Sequence, residues 1–374
     1  MSLRIGLNAT CFSERPSGAN QRFRYLLGAL IRQRPEWHFI IYEPRDVRVA
    51  AWFAPCPNVE ARVTPLPAEG RIARALAGLG YWRAALRADR LDLFESFHLP
   101  AVIAPDCPTL LTIHDLRPVR SDAAFSERLI ARPVLHHALA RARLTLAVSD
   151  TVAEELRAFH PGARVRRVYN GVRPDDLAHP GEAALAAVRA RWALPERFVL
   201  GVGHLEPRKN IAQAIDAIAV LRAQGRDVPL VVVGNPGGAE AALQAAIARH
   251  GLGASVRLLS GVSGDDLRAI YHLADLLLFP SAYEGFGIPL VEAMAAGLPI
   301  AASDTPVFRE LAGGAARLFA LGDPEGTAAA IAALWDDPAE RAALAEAGRA
   351  RLARHDFAVL AEELAAIYRE VTGR

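Results

Sequence analysis

The chain has 374 residues, of which 52% are hydrophobic and 22% are charged, and its formal net charge is +2. This length suits two globular domains, and the nearly neutral charge gives no reason to expect a nucleic acid as partner. Three cysteines without Cys-x-x-Cys spacing argue against a disulfide framework or a zinc site. No apolar run reaches the roughly 18 residues of a membrane span, and the N-terminus enters a strand without a signal-peptide pattern, so we expect a cytoplasmic protein.

Apolar runs predict strands along the whole chain, with helical patterns between them. In the first half we predict strands at 4–10, 39–44, 61–66, 91–96, 109–115, 144–149 and 164–170, and helices at 20–33, 71–89, 124–140 and 151–159. In the second half the predicted strands are 198–203, 229–234, 256–261, 276–280, 299–303 and 316–319. This alternation indicates parallel sheets flanked by helices, in other words doubly wound α/β domains.

Three domain segments follow from this pattern. We predict an N-terminal domain at 1–172 and a C-terminal domain at 173–355, and the proline-containing segment 171–195 is the predicted linker. A last helix at 356–374 is expected to pack back on the N-terminal domain. In doubly wound domains, ligands bind at the carboxyl ends of the strands.

Two carboxylates stand eight residues apart at one such strand end. Glu284 follows the apolar run 276–279, and Glu292 falls in a helix that we expect to begin at Pro289 and to end at Gly297. Carboxylates accept hydrogen bonds from paired sugar hydroxyls, and backbone N–H groups at a helix start favour an anion. We expect the N–H groups of 285–288 to face the space between the carboxylates, which suits a nucleotide-sugar.

A second motif contains the only lysine among the 43 basic residues. Lys209 and Arg208 lie between an apolar strand and a helix for which Asn210 is the predicted N-cap. Two cations beside a helix N-terminus form a site for a diphosphate leaving group. The alternative is a solvated charge pair beside a cap.

These two motifs, Gly-x-Leu-Glu-Pro-Arg-Lys-Asn and the spacing from Glu284 to Glu292, resemble the retaining glycosyltransferases of family 4. Further support comes from Ser17-Gly18-Ala19-Asn20, Ile113-His114-Asp115 and Tyr169-Asn170-Gly171-Val172. The resemblance covers nearly the whole chain and implies the GT-B fold, in which two Rossmann-like domains face across a cleft. It also implies a donor held by the C-terminal domain, an acceptor bound by the N-terminal domain, and no metal or other cofactor.

Residue roles follow from the same resemblance. Arg208, Lys209, Glu284 and His114 are the expected catalytic residues. Glu292 is expected to bind the ribose, Glu284 the sugar hydroxyls, and Arg208 with Lys209 the diphosphate. The remaining donor contacts are expected at Gly18, Gly285, Phe286, Gly287, Ile288, Gly234 and Val262. One departure from the family is His204, at a position where many members carry arginine, and Arg208 is expected to compensate for it.

The resemblance to mannosyltransferases favours GDP-mannose as donor, leaves UDP-glucose open, and implies a glycan or lipid-linked acceptor in surface polysaccharide or lipopolysaccharide synthesis. Two other functions remain open, a nucleotide-sugar epimerase of similar two-domain fold and a binding protein that has lost catalysis. A structural role for His114 also remains open.

The basic amphipathic pattern at 71–90 predicts peripheral contact with the inner face of the cell membrane. The alternative is an ordinary helix that packs on the core and exposes a basic face to solvent.

Overall fold

The computed structural model of the protein describes residues 2–13, 17–70, 77–78, 80–121 and 123–374. The protein chain forms two compact units. The first comprises Met1–Gly171 together with Phe357–Arg374, and the second comprises Val172–Asp356. The terminal segment 357–374 therefore belongs to the first unit, while the roles expected for the two domains stay predictions.

In the first unit the described residues form a seven-stranded parallel sheet with the strand order β3-β2-β1-β4-β5-β6-β7. Its strands are β1 (Arg4–Asn8), β2 (His38–Glu43), β3 (Val59–Val63), β4 (Leu93–Ser96), β5 (Thr109–Ile113), β6 (Leu144–Ala147) and β7 (Val165–Arg167). Its helices are α1 (Gly18–Arg22), α2 (Gly28–Gln33), α3 (Tyr81–Asp89), α4 (Phe125–Arg141), α5 (Asp150–Phe159) and, from the end of the chain, α14 (Phe357–Thr372).

The second unit is built around a six-stranded parallel sheet with the strand order β10-β9-β8-β11-β12-β13. Its strands are β8 (Val199–Val202), β9 (Leu230–Val233), β10 (Val256–Leu259), β11 (Leu276–Phe279), β12 (Ile300–Ser303) and β13 (Arg317–Phe319). Its helices are α6 (Glu182–Arg191), α7 (Ile211–Ala223), α8 (Glu240–Arg249), α9 (Gly264–Leu273), α10 (Ile288–Ala296), α11 (Pro306–Ala312), α12 (Pro324–Asp336) and α13 (Pro338–Arg351).

The predicted doubly wound architecture is confirmed, and the order of the strands explains where a ligand can bind. In each sheet the chain reverses direction of winding beside its first strand, since β1 lies between β2 and β4, and β8 lies between β9 and β11. Open parallel sheets bind ligands beyond the carboxyl ends of the strands at such a reversal. In the second unit these ends belong to β8 and β11, which are buried throughout.

Several predicted boundaries differ from the structure. Strand β3 ends before the predicted limit at 66, because Pro65 and Pro67 have no backbone N–H for the sheet. The helix predicted at 20–33 is divided by a π-helical turn at Phe23–Leu27. The stretch 171–195 is not a simple linker. It contains α6, whose alanine-rich sequence favours a helix and whose Leu185 and Val188 are buried.

Helix α14 is tied to the sheet of the first unit by aromatic and polar contacts. The Tyr368 ring stacks on Trp37 with centroids 6.2 Å apart. Its hydroxyl donates to the buried carboxylate of Glu95, which also accepts a 2.5 Å hydrogen bond from Thr112 Oγ1. None of the helices that the structure describes has the length and apolar character required to cross a bilayer.

Candidate donor-binding site

Two loops of the second unit bring the predicted catalytic cations and Glu284 into contact. After β8, a short helical turn at Pro207–Lys209 carries both cations. After β11, the chain runs directly to Glu284, and the backbone N–H of Ala282 donates to the carbonyl of Arg208 at 2.9 Å. Ser303 Oγ donates to the carbonyl of Ser281 at 2.6 Å and fixes the same loop to β12. The site therefore stands at the reversal point of the sheet.

Lys209 is held on three sides. Its Nζ donates to Glu284 Oε1 at 2.7 Å and lies 5.2 Å from the centre of the Phe279 ring. The side chain is 9% exposed. A Cβ atom on Gly203 would lie 3.0 Å from Lys209 Cε, so the glycine leaves room for the lysine. The ammonium is thus fixed in place by its surroundings, as a stabilising cation in a catalytic site must be.

Arg208 joins both carboxylates of the cluster. Its Nη1 donates to Glu284 Oε1 at 2.9 Å, and its Nε donates to Glu206 Oε2 at 2.7 Å. Burial alone would raise the pKa of Glu284, but the charges of Lys209 and Arg208 outweigh it and hold this pKa below its usual range. Glu284 is therefore ionised at neutral pH, and two cations balance two carboxylates.

Glu284 bonds to both cations because the loops after β8 and β11 run side by side, and the contacts with sugar hydroxyls that the resemblance implies for it stay a prediction. One detail of the sequence prediction is wrong here. Asn210 precedes α7 with a left-handed backbone, and no side-chain cap forms. Its Nδ2 donates instead to Gln213 Oε1 at 2.7 Å.

The glycine turn after Glu284 is tightly packed. Gly287 has a φ of +108°, and a Cβ atom there would lie 2.9 Å from the Phe308 ring, so only glycine fits. Helix α10 begins at Ile288, one residue before the predicted Pro289, and no side chain among the described residues caps it. The helix ends at Gly297 as predicted, with that residue left-handed. Phe286 is buried and packs edge-on against His355, with ring centroids 5.6 Å apart.

Glu292 lies within α10 and is partly exposed. Tyr271 Oη, from α9, donates to Glu292 Oε2 at 2.8 Å. The sequence gives no functional signal for Tyr271, because it has the pattern of an ordinary core residue of its helix. Only the packing of α9 on α10 reveals its partner.

The loops predicted to bind the nucleotide base follow β9 and β10. A Cβ atom on Gly234 would lie 1.9 Å from the carbonyl oxygen of Gly203, so the close approach of these two loops requires glycine. Val262 is half-buried in the loop before α9, beside Gly261, whose N–H donates to Asn235 Oδ1 at 3.1 Å. Both predicted residues thus lie in loops that follow carboxyl ends of strands in the sheet that bears Lys209.

The other two predicted residues belong to the first unit. Gly18 begins α1, where the Ser17 side chain caps the helix by accepting from Asn20 N. His114 follows β5 with its Nε2 atom buried, and this atom has no hydrogen-bond partner among the described residues. Burial, and after it the charge of Arg22, lower the pKa of His114 to about 3. His114 is therefore a neutral imidazole at physiological pH.

Arg22 is a buried cation of the first unit for which the sequence gives no signal. Its Nη1 donates to the carbonyls of Val168 and Tyr169 at 3.0 and 2.7 Å and to Asn170 Oδ1 at 3.0 Å. Burial lowers its pKa to about 10, despite the opposing charge of Glu95. Arg22 thus joins α1 to the segment Tyr169-Asn170-Gly171 that the sequence singled out.

The low pKa of His114 leads to a prediction about acid stability. Between about pH 3 and pH 6.5 the unfolded chain binds a proton at this position and the folded chain does not, so stability falls on acidification. On acidification below pH 6.5, we expect the free energy of unfolding to fall less steeply in His114→Gln than in the wild type. The two slopes are expected to differ by about 1 kcal/mol per pH unit. Urea unfolding at pH 7.5, 6.0 and 5.0 measures this, and parallel pH profiles would contradict it.

Comparison with known proteins gives the family. The family model described as Glycosyltransferase Family 4 matches residues 16–176, and the model described as Glycosyl transferases group 1 matches residues 188–351. A phosphatidyl-myo-inositol mannosyltransferase of Mycolicibacterium smegmatis is 30% identical, over 83% of this chain and 80% of its own. The chain belongs to the family 4 glycosyltransferases.

The names of other relatives of this glycosyltransferase indicate that different sugars are transferred within the family. An alpha-D-kanosaminyltransferase of Streptomyces kanamyceticus is 30% identical, over 71% of both chains. The O-antigen chain mannosyltransferase B of Escherichia coli is 30% identical, over 54% of both chains. The resemblance to a glycosyltransferase family is thereby confirmed, and mannosyl transfer recurs among the named relatives.

Solved structures confirm the GT-B fold of the glycosyltransferase. The sucrose-phosphate synthase of Thermosynechococcus elongatus matches with a TM-score of 0.80 and 21% identity, over 99% of both chains. HepE of Anabaena, solved in complex with UDP-glucose, matches with a TM-score of 0.74 and 21% identity, over 98% of this chain and 100% of that one. At this identity the likeness establishes the fold alone.

Proposed function

We propose that the protein transfers mannose from GDP-mannose to a glycan or lipid-linked acceptor, with retention of the anomeric configuration. The observation that carries this proposal is the contact of Arg208 and Lys209 with Glu284. This contact lies where the strand order of the parallel sheet reverses, which is where doubly wound sheets bind ligands. The mannosyltransferase relatives support the sugar, and the O-antigen relative supports surface polysaccharide or lipopolysaccharide synthesis. HepE, solved with UDP-glucose, is the reason to test that donor too.

In the proposed mechanism, Arg208 and Lys209 bind the diphosphate. Breaking the anomeric bond leaves negative charge on that group, and fixed cations stabilise the charge as it develops. No metal is part of this proposal, in which the N–H donors of Arg208 and Lys209 and the backbone N–H groups of 285–288 stabilise the diphosphate.

Glu284 is proposed to accept hydrogen bonds from the sugar hydroxyls rather than to attack the anomeric carbon. A carboxylate with a lowered pKa that is bonded to two cations is a weak nucleophile. We therefore favour attack by the acceptor on the same face as the leaving group. The bond from the anomeric carbon to the phosphate oxygen breaks, the bond to the acceptor oxygen forms, and the acceptor's proton passes to the phosphate.

The remaining residues are proposed to position the donor. Glu292 accepts from the ribose hydroxyls, and the loops containing Gly234 and Val262 bind the base through their backbone. Backbone groups at 18 and 285–288 are proposed to contact the phosphates, with the packed turn at Gly287 fixing the second of these segments. His114, as a neutral imidazole, is proposed to form a hydrogen bond with a hydroxyl of the transferred sugar.

The test is to follow the donor and the product by NMR. The protein is incubated with GDP-mannose or UDP-glucose in EDTA, first alone and then with oligosaccharide and polyprenyl-phosphate-linked acceptors. The proposal predicts an unchanged sugar in the donor and an α-linked product from an α-linked donor. A changed sugar without acceptor would support the epimerase instead. Nucleotide binding without any turnover across the acceptor panel would support the non-catalytic relative.

We also propose peripheral contact with an anionic membrane on the cytoplasmic side, for which the pattern at 71–90 is one predicted surface. Residues 71–76 and 79 of this pattern lie outside the described part. In α3, which is described, Leu86 is buried and Trp82 packs on Tyr42 and Phe94. The contacts of these two side chains fit the alternative of an ordinary helix that packs on the core.

Helix α4 offers a better surface for this contact. Phe125, Leu129 and Ile130 are 72%, 65% and 70% exposed, and they lie on adjacent turns. Arg128 and Arg132 stand beside them on the same helix, with Glu127 as the nearby acid. Large apolar side chains flanked by arginines suit the boundary of an anionic bilayer.

The membrane prediction is tested by sedimentation with vesicles of phosphatidylglycerol and phosphatidylcholine. We expect the wild type to sediment with anionic vesicles and a triple variant (Phe125→Ser, Leu129→Ser, Ile130→Ser) to lose most of this binding. Val359→Ser removes one exposed apolar side chain from α14 and serves as the control. A wild type that does not sediment, or a triple variant that binds equally, would contradict the proposal.

A further inference from the structure

Tyr271 forms a buried polar contact that the proposed mechanism has not yet used. The side chain is 1% exposed, and its hydroxyl donates to Glu292 Oε2 at 2.8 Å. The two residues lie on different helices, α9 and α10. A hydroxyl buried at a helix interface requires a partner. Here that partner is the carboxylate proposed to bind the ribose.

This contact restricts the rotation of the Glu292 carboxylate, which the backbone of its own helix does not fix. A glutamate side chain has several rotatable bonds, and the rotation of its terminal carboxylate is broad. A hydrogen bond from a rigid, buried ring fixes one oxygen and therefore the plane of the group. Burial, and after it the charge of Glu292, raise the pKa of Tyr271 well above its ordinary value, so the hydroxyl stays a donor throughout the working pH range.

We propose that Tyr271 is a positioning residue for the donor: it holds the Glu292 carboxylate in the orientation that accepts both hydroxyls of the ribose. The inference rests on the proposed function of Glu292. A carboxylate has about four acceptor positions, so the bond from Tyr271 leaves capacity for a diol. When the acceptor groups of a site are held in a fixed orientation, a ligand that lacks one hydroxyl binds more weakly than the complete ligand.

The test compares Tyr271→Phe with the wild type on ligands that differ in one hydroxyl. Dissociation constants are measured by calorimetry for GDP, 2′-deoxy-GDP and 3′-deoxy-GDP in EDTA, with UDP and its deoxy analogues in parallel. We expect the wild type to bind at least one deoxy analogue about tenfold more weakly than the parent nucleotide. In Tyr271→Phe, binding of the parent weakens about fivefold or more, and the preference over the deoxy analogues falls below about threefold. Turnover at saturating donor stays close to that of the wild type.

Tyr42→Phe is the matched control, because it also removes a hydroxyl that donates to a buried carboxylate, Asp89, at 2.6 Å. It lies in the first unit and is expected to keep the wild-type preference even if it lowers stability. If Tyr271→Phe binds the parent nucleotide with an unchanged preference, the positioning role is wrong and the proposed function stands. If the wild type binds no nucleoside diphosphate, or makes no distinction between parent and deoxy analogue, the ribose role of Glu292 fails and the inference fails with it.

Discussion

Lys209→Ala is expected to lower turnover by about 100-fold or more while leaving acceptor affinity nearly unchanged. Removal of one fixed donor to a developing anion costs about 10²–10³ in kcat. Lys209 is the more deeply buried of the two cations, and its position is fixed by Glu284 and the Phe279 ring. The measurement is steady-state kinetics with donor and acceptor varied separately.

The same substitution removes one of two cations from a buried carboxylate, so its effect on folding must be measured as well. A buried charge that loses its partner can cost about 3–5 kcal/mol, although Arg208 remains bonded to Glu284. Thermal unfolding of Lys209→Ala, and of Lys209→Ala combined with Glu284→Gln, separates the two effects. Arg226→Ala is the control, since it removes a cation from an exposed pair with Asp336 in the same unit. A folded Lys209→Ala protein with unchanged turnover would exclude Lys209 from catalysis.

Glu292→Gln is expected to weaken nucleoside diphosphate binding by about 10- to 100-fold, since a hydrogen bond to a charged group contributes about 1.5–3 kcal/mol. Glutamine keeps the size of the side chain and can still accept from Tyr271, but it loses the charge and one acceptor group. Calorimetric titration with GDP and UDP measures the effect.

The appropriate control for Glu292→Gln is Glu340→Gln, which makes the same chemical change in an exposed pair with Arg317. This variant is expected to bind nucleotide like the wild type. If Glu292→Gln binds with wild-type affinity, the carboxylate does not contact the ribose. The proposed donor site would then lose one of its two glutamates.

Much of the fold could be predicted because it depends on local sequence. Buried strands such as β11, with the sequence Leu-Leu-Leu-Phe, are continuous apolar runs, and alternation with helices determines a parallel sheet. The same logic predicts that Lys209 and Glu284 each follow the carboxyl end of a strand in the second domain. The short stretch 182–191 was misassigned because its flanking prolines suggest a loop, whereas its composition favours a helix.

The contacts that sequence could not predict join residues far apart in the chain. Tyr271 is 21 residues from Glu292, and their hydrogen bond depends on the packing of two helices. Arg22 lies 146 or more residues from the carbonyls that it binds. The low pKa of His114 depends on burial, and after it on the charge of Arg22, and both follow from the tertiary structure. No local pattern states that the loops after β8 and β11 approach closely enough for Glu284 to bond to both cations.

The most direct test of the proposed metal-free donor site is thermal unfolding with GDP, UDP, ADP, dTDP and CMP, each in EDTA, for the wild type and Lys209→Ala. A ligand at 100 times its dissociation constant adds about 2.7 kcal/mol to stability, which gives a clear shift. We predict that GDP stabilises the wild type and that Lys209→Ala loses most of this shift. No shift with any of the nucleotides, or a GDP shift that Lys209→Ala retains in full, would contradict the account.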